Sequence, residues 1–336
     1  MVRVALDAMG GDLAPTTEVE GAILALKELP PGFTIQFVGQ TALVEAEIAK
    51  HSGFDASRIS VVEAPEVISP GERPLEAVRR KRKSSIVVGL GLEASGQADV
   101  FVSAGNTGAM LAASTMLLGL HPGVERATVG ALLPTADGPV LMLDAGANLD
   151  CSPRELLGFA YLGTIYMRDI QRRLTPTIGL LNVGEEEGKG NAIVKEAHLL
   201  LKQAPGINYA GNIEGRDILG EHHRIGRVDV VVCDGFVGNV VLKFYESVLG
   251  LVRLLATREG IWEQPSTRKA FRMLDYSQYG GSPLLGVKGN PIICHGSSNA
   301  NAIKNAIRVA VQAVESELSQ HIGTEFASHA PSAEPA

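Results

Sequence analysis

Residues 100–108 read Val-Phe-Val-Ser-Ala-Gly-Asn-Thr-Gly, so that a strand-like apolar run ends in a polar, glycine-rich turn. The following residues, from Ala109 to Leu120, have the apolar periodicity of a helix. A buried strand, a tight turn and a helix in this order form the repeating unit of a parallel α/β sheet. The stretch from Val100 to Val124 carries no formal charge, but the polar turn and Pro122 interrupt it. We therefore exclude a transmembrane helix at this position.

The same pattern occurs six times along the chain. Each time, a strand-like run leads to a polar residue and a turn that contains glycine. The six turns are Asp7–Asp12, Ser103–Gly108, Asp144–Asn148, Asn182–Asn191, Gly211–Asp217 and Asp234–Asn239. In an open α/β sheet, ligands bind beyond the carboxyl ends of the strands, where glycine exposes backbone N–H groups and a helix begins. A single turn of this kind is adequately explained as a chain reversal or a helix cap. Six of them favour a clustered site that holds a phosphate group.

Strands and helices alternate along most of the chain, which predicts a mostly parallel sheet with right-handed crossovers. Strand-like runs are Val2–Leu6, Thr34–Val38, Ile59–Val62, Val100–Val102, Val129–Leu133, Val140–Leu143, Thr177–Leu181 and Val228–Val232. Helical periodicity covers Glu18–Leu29, Leu43–His51, Ala109–Leu120, Arg154–Ile170, Ile193–Gln203, Val240–Thr257 and Asn301–Leu318. We predict one domain over residues 1–322, as a single unit or two tightly joined lobes, and a flexible tail at 323–336.

The composition is that of a chain with a large core and no overall affinity for nucleic acid. Of its 336 residues, 45% are hydrophobic, and the formal net charge is −7. Cys151, Cys233 and Cys294 are far apart and form no CxxC pair, which predicts free thiols in a reducing cytosol. The chain begins directly with a strand-like run, so we expect no signal peptide.

Several nucleotide-binding and hydrolase motifs are incomplete or absent. Residues 184–190 resemble a P-loop, but the spacing is one residue short and Gly190 stands where a magnesium-binding Ser or Thr is needed. Gly89-Leu90-Gly91 lacks the third glycine of a dinucleotide fingerprint. The sequence has neither a Gly-x-Ser-x-Gly elbow nor a His-Glu-x-x-His motif. Nucleoside triphosphatases, serine hydrolases and zinc peptidases are therefore disfavoured.

His295 begins a short turn, His-Gly-Ser-Ser, that precedes a predicted helix. The hydroxyl groups of Ser297 and Ser298 could cap this helix or hold a phosphate group, and the sequence favours neither role. Cys294 would point to the opposite face of an extended strand from His295, so a Cys–His dyad is not expected. Cys294 is predicted to be a small buried apolar residue.

Residues 79–83, Arg-Arg-Lys-Arg-Lys, are the one strong basic patch. Such a run usually lies on a solvated helix face, and no aromatic residues interleave with it for base stacking. An acidic protein or an anionic ligand is the expected partner.

The predicted helix Val240–Thr257 is amphipathic, and Ile261 and Trp262 follow it before a basic stretch. Core packing is the default explanation of its apolar stripe. A tryptophan beside basic residues also fits a surface that touches a membrane or an acyl chain, which we keep as a second hypothesis.

Taken in order, these blocks resemble the phosphate acyltransferase family of bacterial phospholipid synthesis. The resemblance covers nearly the whole chain, from Asp7–Asp12 to the turn at His295–Ser298, and includes Tyr279-Gly280-Gly281 and Leu284-Leu285-Gly286. The last block is also similar to the phosphate-binding segment of phosphotransacetylases, although Gly296 stands where those enzymes have an arginine.

The resemblance implies a three-layer α/β/α sandwich with a mostly parallel sheet, of the isocitrate/isopropylmalate dehydrogenase-like type. It implies a reaction in which acyl-acyl carrier protein and inorganic phosphate give acyl phosphate and free carrier protein, with no cofactor required. It also implies a cytoplasmic homodimer that works peripherally at the inner face of the membrane. Its product would pass to a membrane acyltransferase that accepts acyl phosphate.

In this reaction phosphate is the nucleophile, so the enzyme must hold the dianion and stabilise the developing oxyanion. The predicted catalytic residues are Lys189, His295 and Asp234. Residues expected to bind substrate are Asp7, Gly10, Gly11, Asp12, Ser103, Gly105, Asn106, Thr107, Gly108, Asp144, Asn148, Asn182, Glu185, Asn212, Asn239, Lys288, Ser297 and Ser298. The aspartates Asp7, Asp144 and Asp234 could orient lysines, cap loops or bind Mg²⁺. No metal-ligand set is predicted.

Two surfaces of the protein are expected to contact partners. Arg79, Arg80, Lys81, Arg82 and Lys83 are expected to contact the acidic carrier protein. Ile261 and Trp262 are expected to contact the membrane or the acyl chain. The alternatives are an enzyme that uses acyl-coenzyme A, a nicotinamide-dependent dehydrogenase on the same fold, and a phosphate or acyl sensor without turnover.

Overall fold

The computed structural model of the chain describes residues 1–222, 226–273 and 278–329. The chain divides into two compact units, of which the first contains residues 1–127 and 279–336 and the second residues 128–278. The first unit is therefore built from both ends of the chain.

Strands and helices alternate in both units. The strands are β1 (Val2–Asp7), β2 (Phe33–Gly39), β3 (Ile59–Glu63), β4 (Val100–Ser103), β5 (Thr128–Val129), β6 (Ala131–Leu133), β7 (Val140–Leu143), β8 (Thr177–Leu181), β9 (Asn208–Ile213), β10 (Glu221–His222), β11 (Gly226–Arg227), β12 (Val230–Val232), β13 (Ser282–Leu285) and β14 (Ile292–Ile293). The helices are α1 (Thr16–Glu28), α2 (Thr41–Ile48), α3 (Pro74–Arg80), α4 (Ser85–Ala94), α5 (Thr107–Leu117), α6 (Pro153–Asp169), α7 (Ala192–Gln203), α8 (Gly235–Arg258), α9 (Pro265–Met273), α10 (Ala300–Glu315) and α11 (Leu318–His329).

Within the first unit, neighbouring strands follow the order β3-β2-β1-β4-β14-β13. All adjacent pairs are parallel except β13 with β14. From β1 the chain adds β2 and β3 on one side of this strand and then returns to add β4 on its other side. The direction in which strands are added therefore reverses between β1 and β4. The carboxyl ends of two such strands form the topological switch point at which open α/β sheets bind ligands.

Helices cover both faces of this sheet because the side chains of its strands alternate. Val100 and Val102 of β4 are completely buried in the cluster that contains α1 and α10. Phe101 points to the opposite face, where a side chain at Gly89 of α4 would collide with its ring. On the first face, a Cβ at Gly21 of α1 would lie 2.5 Å from Cβ of Ile303, so α1 and α10 approach closely.

The second unit contains a sheet in the order β6-β7-β12-β8-β9, in which only β6 is antiparallel to its neighbour. Met142 and Val231 face the cluster that contains Tyr245 of α8. On the other face, Val230 and Leu143 lie against Gly163 of α6, where a Cβ would be 2.6 Å from Val230. Both units therefore have a mainly parallel sheet between helices.

Helix α8 is only partly covered within its unit. Val241 and Leu249 pack against the core cluster. On another side of the helix, Val240, Phe244 and Leu251 are 55%, 69% and 54% exposed. The expectation that the apolar residues of this helix pack in the core is therefore right for one side of the helix and wrong for the other.

The structure confirms that the uncharged stretch after Val100 is a strand, a turn and a helix. None of the helices in the described residues is both long and apolar enough to span a bilayer. Helix α4 was not predicted, because residues 85–94 are apolar on nearly every side and contain two glycines, which hides the helical period. The prediction of a tail from 323 was wrong for residues 323–329, because α11 continues to His329 and buries Ile322 and Phe326.

Candidate active site

The site in the first unit is organised by a buried hydrogen bond between the ends of β1 and β4. The hydroxyl group of Ser103 donates to Oδ2 of Asp7 over 2.7 Å, and both residues are completely buried. Oδ1 of Asp7 accepts the backbone N–H of Met9 at 2.9 Å, and Oγ of Ser103 accepts that of Gly105 at 3.0 Å. Burial raises the pKa of Asp7, and these hydrogen bonds oppose the rise. Asp7 therefore shapes the turn from beneath and does not face a ligand.

The two turns touch through their glycines. A Cβ at Gly10 would lie 2.6 Å from the backbone nitrogen of Gly105 and 2.7 Å from Oδ2 of Asp7, so a side chain there would separate the turns. Gly10, Gly11 and Gly105 are themselves partly exposed. Their backbone is thus available to a ligand at the switch point.

Asn106 ties the turn after β4 to a neighbouring segment. Its Oδ1 accepts the N–H of Ala109 at 3.0 Å as the N-cap of α5, and its Nδ2 donates to the carbonyl groups of Ser69 (3.1 Å) and Pro70 (3.3 Å). Thr107, the first residue of α5, is exposed. Helix α5 thus begins at the predicted anion site, where its N-terminal dipole favours negative charge.

The turn after β14 joins the first two. The N–H of Asp12 donates to the carbonyl of Gly296 at 2.8 Å. Nδ1 of His295 accepts the N–H of Ser297 at 3.2 Å and lies 2.7 Å from Oγ of the same residue, so the neutral ring carries its proton on Nε2. The N-cap of α10 is Asn299. Neither Ser297 nor Ser298 caps the helix, which leaves Ser297 exposed beside His295.

Glu18, in the first turn of α1, is a site residue that sequence analysis missed. It is 1% exposed and lies directly beneath Gly11, where a Cβ would collide with its Oε1. Burial, with smaller contributions from Asp7 and Asp12, raises its pKa to about 7. An acidic residue in the first turn of a helix is ordinarily explained by its favourable interaction with the helix dipole. The sequence alone therefore does not show that Glu18 is buried beneath the turn after β1.

A second group of predicted residues lies in the second unit, where Asp144 organises the turn after β7. Its Oδ1 accepts the N–H groups of Gly146 (3.2 Å) and Ala147 (3.1 Å), and its Oδ2 accepts both the backbone N–H and the side-chain amide of Asn148 at 2.7 Å. Burial raises the pKa of Asp144, and these bonds oppose the rise. Asp144 therefore holds a loop, as Asp7 does in the first unit.

The turn after β12 packs onto the turn after β7. The N–H of Gly235 donates to the carbonyl of Asn148 at 2.7 Å, and a side chain at Gly238 would collide with the carbonyl of Asp144. Oδ1 of Asp234 accepts the N–H of Val237 at 2.8 Å as the N-cap of α8. One oxygen of the Asp234 carboxylate is thus used as a helix cap, and its catalytic role stays a prediction. Asn239 is exposed beside Gly146.

Lys189 lies in the loop after β8, which Asn182 and Asn212 hold in place. Nδ2 of Asn182 donates to the carbonyl of Lys189 (3.3 Å), and Nδ2 of the buried Asn212 donates to that of Glu186 (3.3 Å). Lys189 is exposed, and its ammonium group has no carboxylate partner within residues 1–222, 226–273 and 278–329. Glu185 lies 3.7 Å from the exposed Arg216.

Lys288 is not part of either group. Its N–H donates to the carbonyl of Gly119, just beyond the C-terminal end of α5, whose N-terminal end is at the site. Because Lys288 precedes β14, which runs towards His295, it lies at the opposite edge of the sheet. The prediction that Lys288 binds phosphate with these loops was wrong.

The basic run begins in α3 and ends in the turn that follows it. Arg79, Arg80, Arg82 and Lys83 are exposed, whereas Lys81 is half-buried. Arg80 and Lys81 both pair with Glu72, at 2.7 and 2.6 Å. These contacts, with that of Lys81 foremost, lower the pKa of Glu72 to about 2.

The same segment is attached to the turn after β4. A Cβ at Gly108 would lie 2.5 Å from Pro74, the first residue of α3. The basic surface therefore belongs to the same unit as the turn and touches it.

Ile261 and Trp262 follow α8 in the second unit. Ile261 is 43% exposed. Trp262 is half-buried, with its ring centroid 5.0 Å from that of Phe271 and 5.0 Å from the guanidinium of Arg253. Its membrane role stays a prediction.

The thiols are buried and weakly acidic. Burial raises the pKa of Cys151 and Cys294 to about 12 and that of Cys233 well above its ordinary value. Within the part of the chain that the structure describes, no three His, Cys, Asp or Glu side chains are grouped to hold a metal ion.

Replacing Ser103 with Ala should destabilise the first unit, because buried Asp7 loses a donor and Gly105 an acceptor. We expect the free energy of unfolding to fall by about 1–3 kcal/mol. Urea denaturation followed by circular dichroism measures this loss. Ser114→Ala is the matched control, since Ser114 is equally buried and its Oγ has no hydrogen-bond partner in the described part of the chain. Its unfolding free energy should change by less than about 0.5 kcal/mol. Equal losses in both variants would contradict the organising role of Ser103.

Relatives of known family cover almost the whole chain. A family model described as fatty acid synthesis protein matches residues 2–321. The phosphate acyltransferase of Heliobacterium modesticaldum is 46% identical over 324 residues, which cover 94% of each chain. That of Desulforamulus reducens is 46% identical over 330 residues, 95% of each chain.

Solved structures share the fold at low sequence identity. A phosphotransacetylase from Streptococcus pyogenes has a TM-score of 0.65 at 17% identity, covering 94% of each chain. A proposed 4-hydroxythreonine-4-phosphate dehydrogenase from Salmonella typhimurium has a TM-score of 0.55 at 12% identity, covering 93% of this chain and 99% of its own. These likenesses confirm the predicted dehydrogenase-like α/β fold. The family model and the sequence relatives show that the chain belongs to the phosphate acyltransferase family and is an acyltransferase.

Proposed function

We propose that this enzyme transfers a fatty acyl group from acyl-acyl carrier protein to inorganic phosphate, which gives acyl phosphate and free carrier protein. The observation that carries the proposal is the group of three turns after β1, β4 and β14. They meet at the switch point of the first unit, with accessible glycines above a buried carboxyl group. Such a site suits a small anion held by backbone N–H groups.

Phosphate attacks the thioester directly in this proposal. The cysteines do not offer an alternative nucleophile, because their thiols are buried and remain protonated at neutral pH. His295, protonated on Nε2 when neutral, is proposed to donate a hydrogen bond to the oxyanion that develops on the thioester carbonyl. The catalytic role of Lys189, which lies in the second unit, stays a prediction. No cofactor is required for these steps.

The direct test is incubation of the purified protein with acyl-acyl carrier protein and radiolabelled phosphate, followed by chromatography of acyl phosphate. We expect product that depends on phosphate and on the carrier protein. His295→Ala should lower kcat by about 10²-fold, because a hydrogen-bond donor to the developing oxyanion is lost. His51→Ala, which removes a half-buried histidine of the same unit that lies outside these turns, should change kcat less than about twofold.

Two results would reject the proposal. Faster turnover with acyl-coenzyme A than with the carrier protein would favour the coenzyme A enzyme. Phosphate binding by the folded protein without any product would favour a sensor.

The carrier protein is proposed to dock on the exposed cations at the end of α3. Arg82→Glu with Lys83→Glu should raise KM for the acyl carrier protein by about tenfold at low salt, with a smaller effect at high salt. The KM for phosphate should not change. Steady-state kinetics measures both values. Lys27→Glu is the matched control, because Lys27 is an exposed cation in the last turn of α1, whereas the candidate site lies at the first turn of this helix. Equal effects of both variants would exclude this docking surface.

The exposed apolar strip of α8 is proposed to form a homodimer interface. Val240, Phe244 and Leu251 recur on one side of the helix, which a second copy of the chain can cover. Multi-angle light scattering should show a dimer for the wild type and a monomer for Phe244→Glu with Leu251→Glu.

The rival occupant of this region is lipid, through Ile261 and Trp262, as expected for a cytoplasmic enzyme that delivers acyl phosphate to a membrane acyltransferase. A monomeric wild type that floats with anionic vesicles, but not after Ile261→Ser and Trp262→Ser, would replace the dimer with membrane contact.

A further inference from the structure

The carboxyl group of Glu18 is buried directly below the candidate phosphate site and is not fully satisfied. Glu18 is 1% exposed, and among the residues that the structure describes its Oε2 has no hydrogen-bond partner. The carboxyl group interacts instead with the backbone N–H groups of Gly11 and of Glu18 itself. A buried carboxylate without a cation is expensive, whereas a buried carboxylic acid is tolerated.

The groups around Glu18 are acidic or neutral. Asp7 faces it from the end of β1, Asp12 from the following turn and the Cys294 thiol from the end of β14. Lys304 of α10 faces α1 as well, but it pairs with Glu28 at 2.7 Å, near the far end of that helix. A phosphate dianion above Gly11 would add further negative charge to this environment.

We propose that Glu18 is a positioning residue for phosphate: it supports the turn at Gly10–Asp12 from below, and the anion binds to the form of the enzyme in which Glu18 is protonated. This inference rests on the proposed function for the identity of the anion. It explains how a site lined by acidic side chains accepts a dianion, because the carboxyl group nearest to the glycine turn is neutral when the site is filled.

Because the pKa of Glu18 is about 7, the requirement for a protonated carboxyl group should affect phosphate binding in the pH range around and above 7. Below pH 7 the carboxyl group is already protonated, so binding needs no further proton. Above pH 7 it is increasingly ionised in the empty enzyme, and the apparent affinity falls with the protonated fraction. The change in phosphate ionisation with pH is common to wild type and variants, so it cancels in a ratio.

The test compares KM for phosphate between pH 6.5 and 8.5 in the wild type and in Glu18→Gln, a neutral replacement of the same size. The ratio of wild-type to variant KM should rise by about 25-fold over this range. Glu93→Gln is the matched control, since Glu93 is also a buried carboxyl group, with a pKa raised to about 8 by burial. Glu93 accepts the N–H of Asn290, in the turn that precedes β14 at the opposite edge of the sheet. The corresponding ratio for Glu93→Gln should stay constant.

A second measurement needs no variant and no catalysis. Sulfate is a dianion that does not titrate near neutral pH, so any proton taken up from the buffer when sulfate binds is bound by the protein. Calorimetric titration of the wild type with sulfate at pH 7.5, in buffers of different ionisation enthalpy, should show uptake of about half a proton or more.

A constant ratio for Glu18→Gln in an active enzyme would overturn the inference, and so would sulfate binding without proton uptake. If Glu18→Gln does not fold, the sulfate experiment decides alone. Failure of the wild type to form acyl phosphate would instead reject the proposed function.

Discussion

The hydrogen bond between Ser103 and Asp7 is the constraint on which the site in the first unit depends. It joins the carboxyl ends of two adjacent parallel strands in a place where neither side chain reaches water. Breaking it would leave a buried carboxyl group without its closest donor, which costs more than the bond itself contributes. The turns above it, which meet at Gly10 and Gly105, take their positions from this contact.

Asp144 has the corresponding role in the second unit, because its carboxyl group accepts hydrogen bonds from the backbone N–H groups of the turn that follows it. The aspartates Asp7 and Asp144 therefore stabilise the turns that follow their strands by accepting hydrogen bonds. This explains why carboxyl groups, which repel phosphate, occur among residues expected to bind it. They face the protein backbone, which leaves the outer surface of the turns to the anion. Burial keeps the pKa of Asp7 and Asp144 raised, so the electrostatic penalty of neighbouring negative charge is reduced.

Much of this arrangement follows from the sequence, because strand-like runs that end in glycine turns mark the carboxyl edge of a parallel sheet. Residues such as Asn106 and His295 could be assigned to that edge from their positions in the chain. Lys288 could not, since its place depends on the insertion of β14 beside β4, a contact between distant parts of the chain. The choice of Asn299 rather than Ser297 or Ser298 as the helix cap depends on where α10 begins, which composition fixes only to within a few residues. Glu18 was missed because a buried acid and an exposed acid in a first helical turn look alike in sequence.

The central claim is that bound phosphate itself attacks the thioester and that no acyl group is transferred to the protein. Ser297, exposed beside Nδ1 of His295, is the side chain that could serve as a covalent alternative. The most direct measurement is the exchange of labelled free carrier protein into acyl-acyl carrier protein. Direct transfer predicts exchange only when phosphate is present, because the acyl group leaves the carrier only to join phosphate. Exchange without phosphate, together with an acyl mass on a peptide that contains Ser297, would contradict the account.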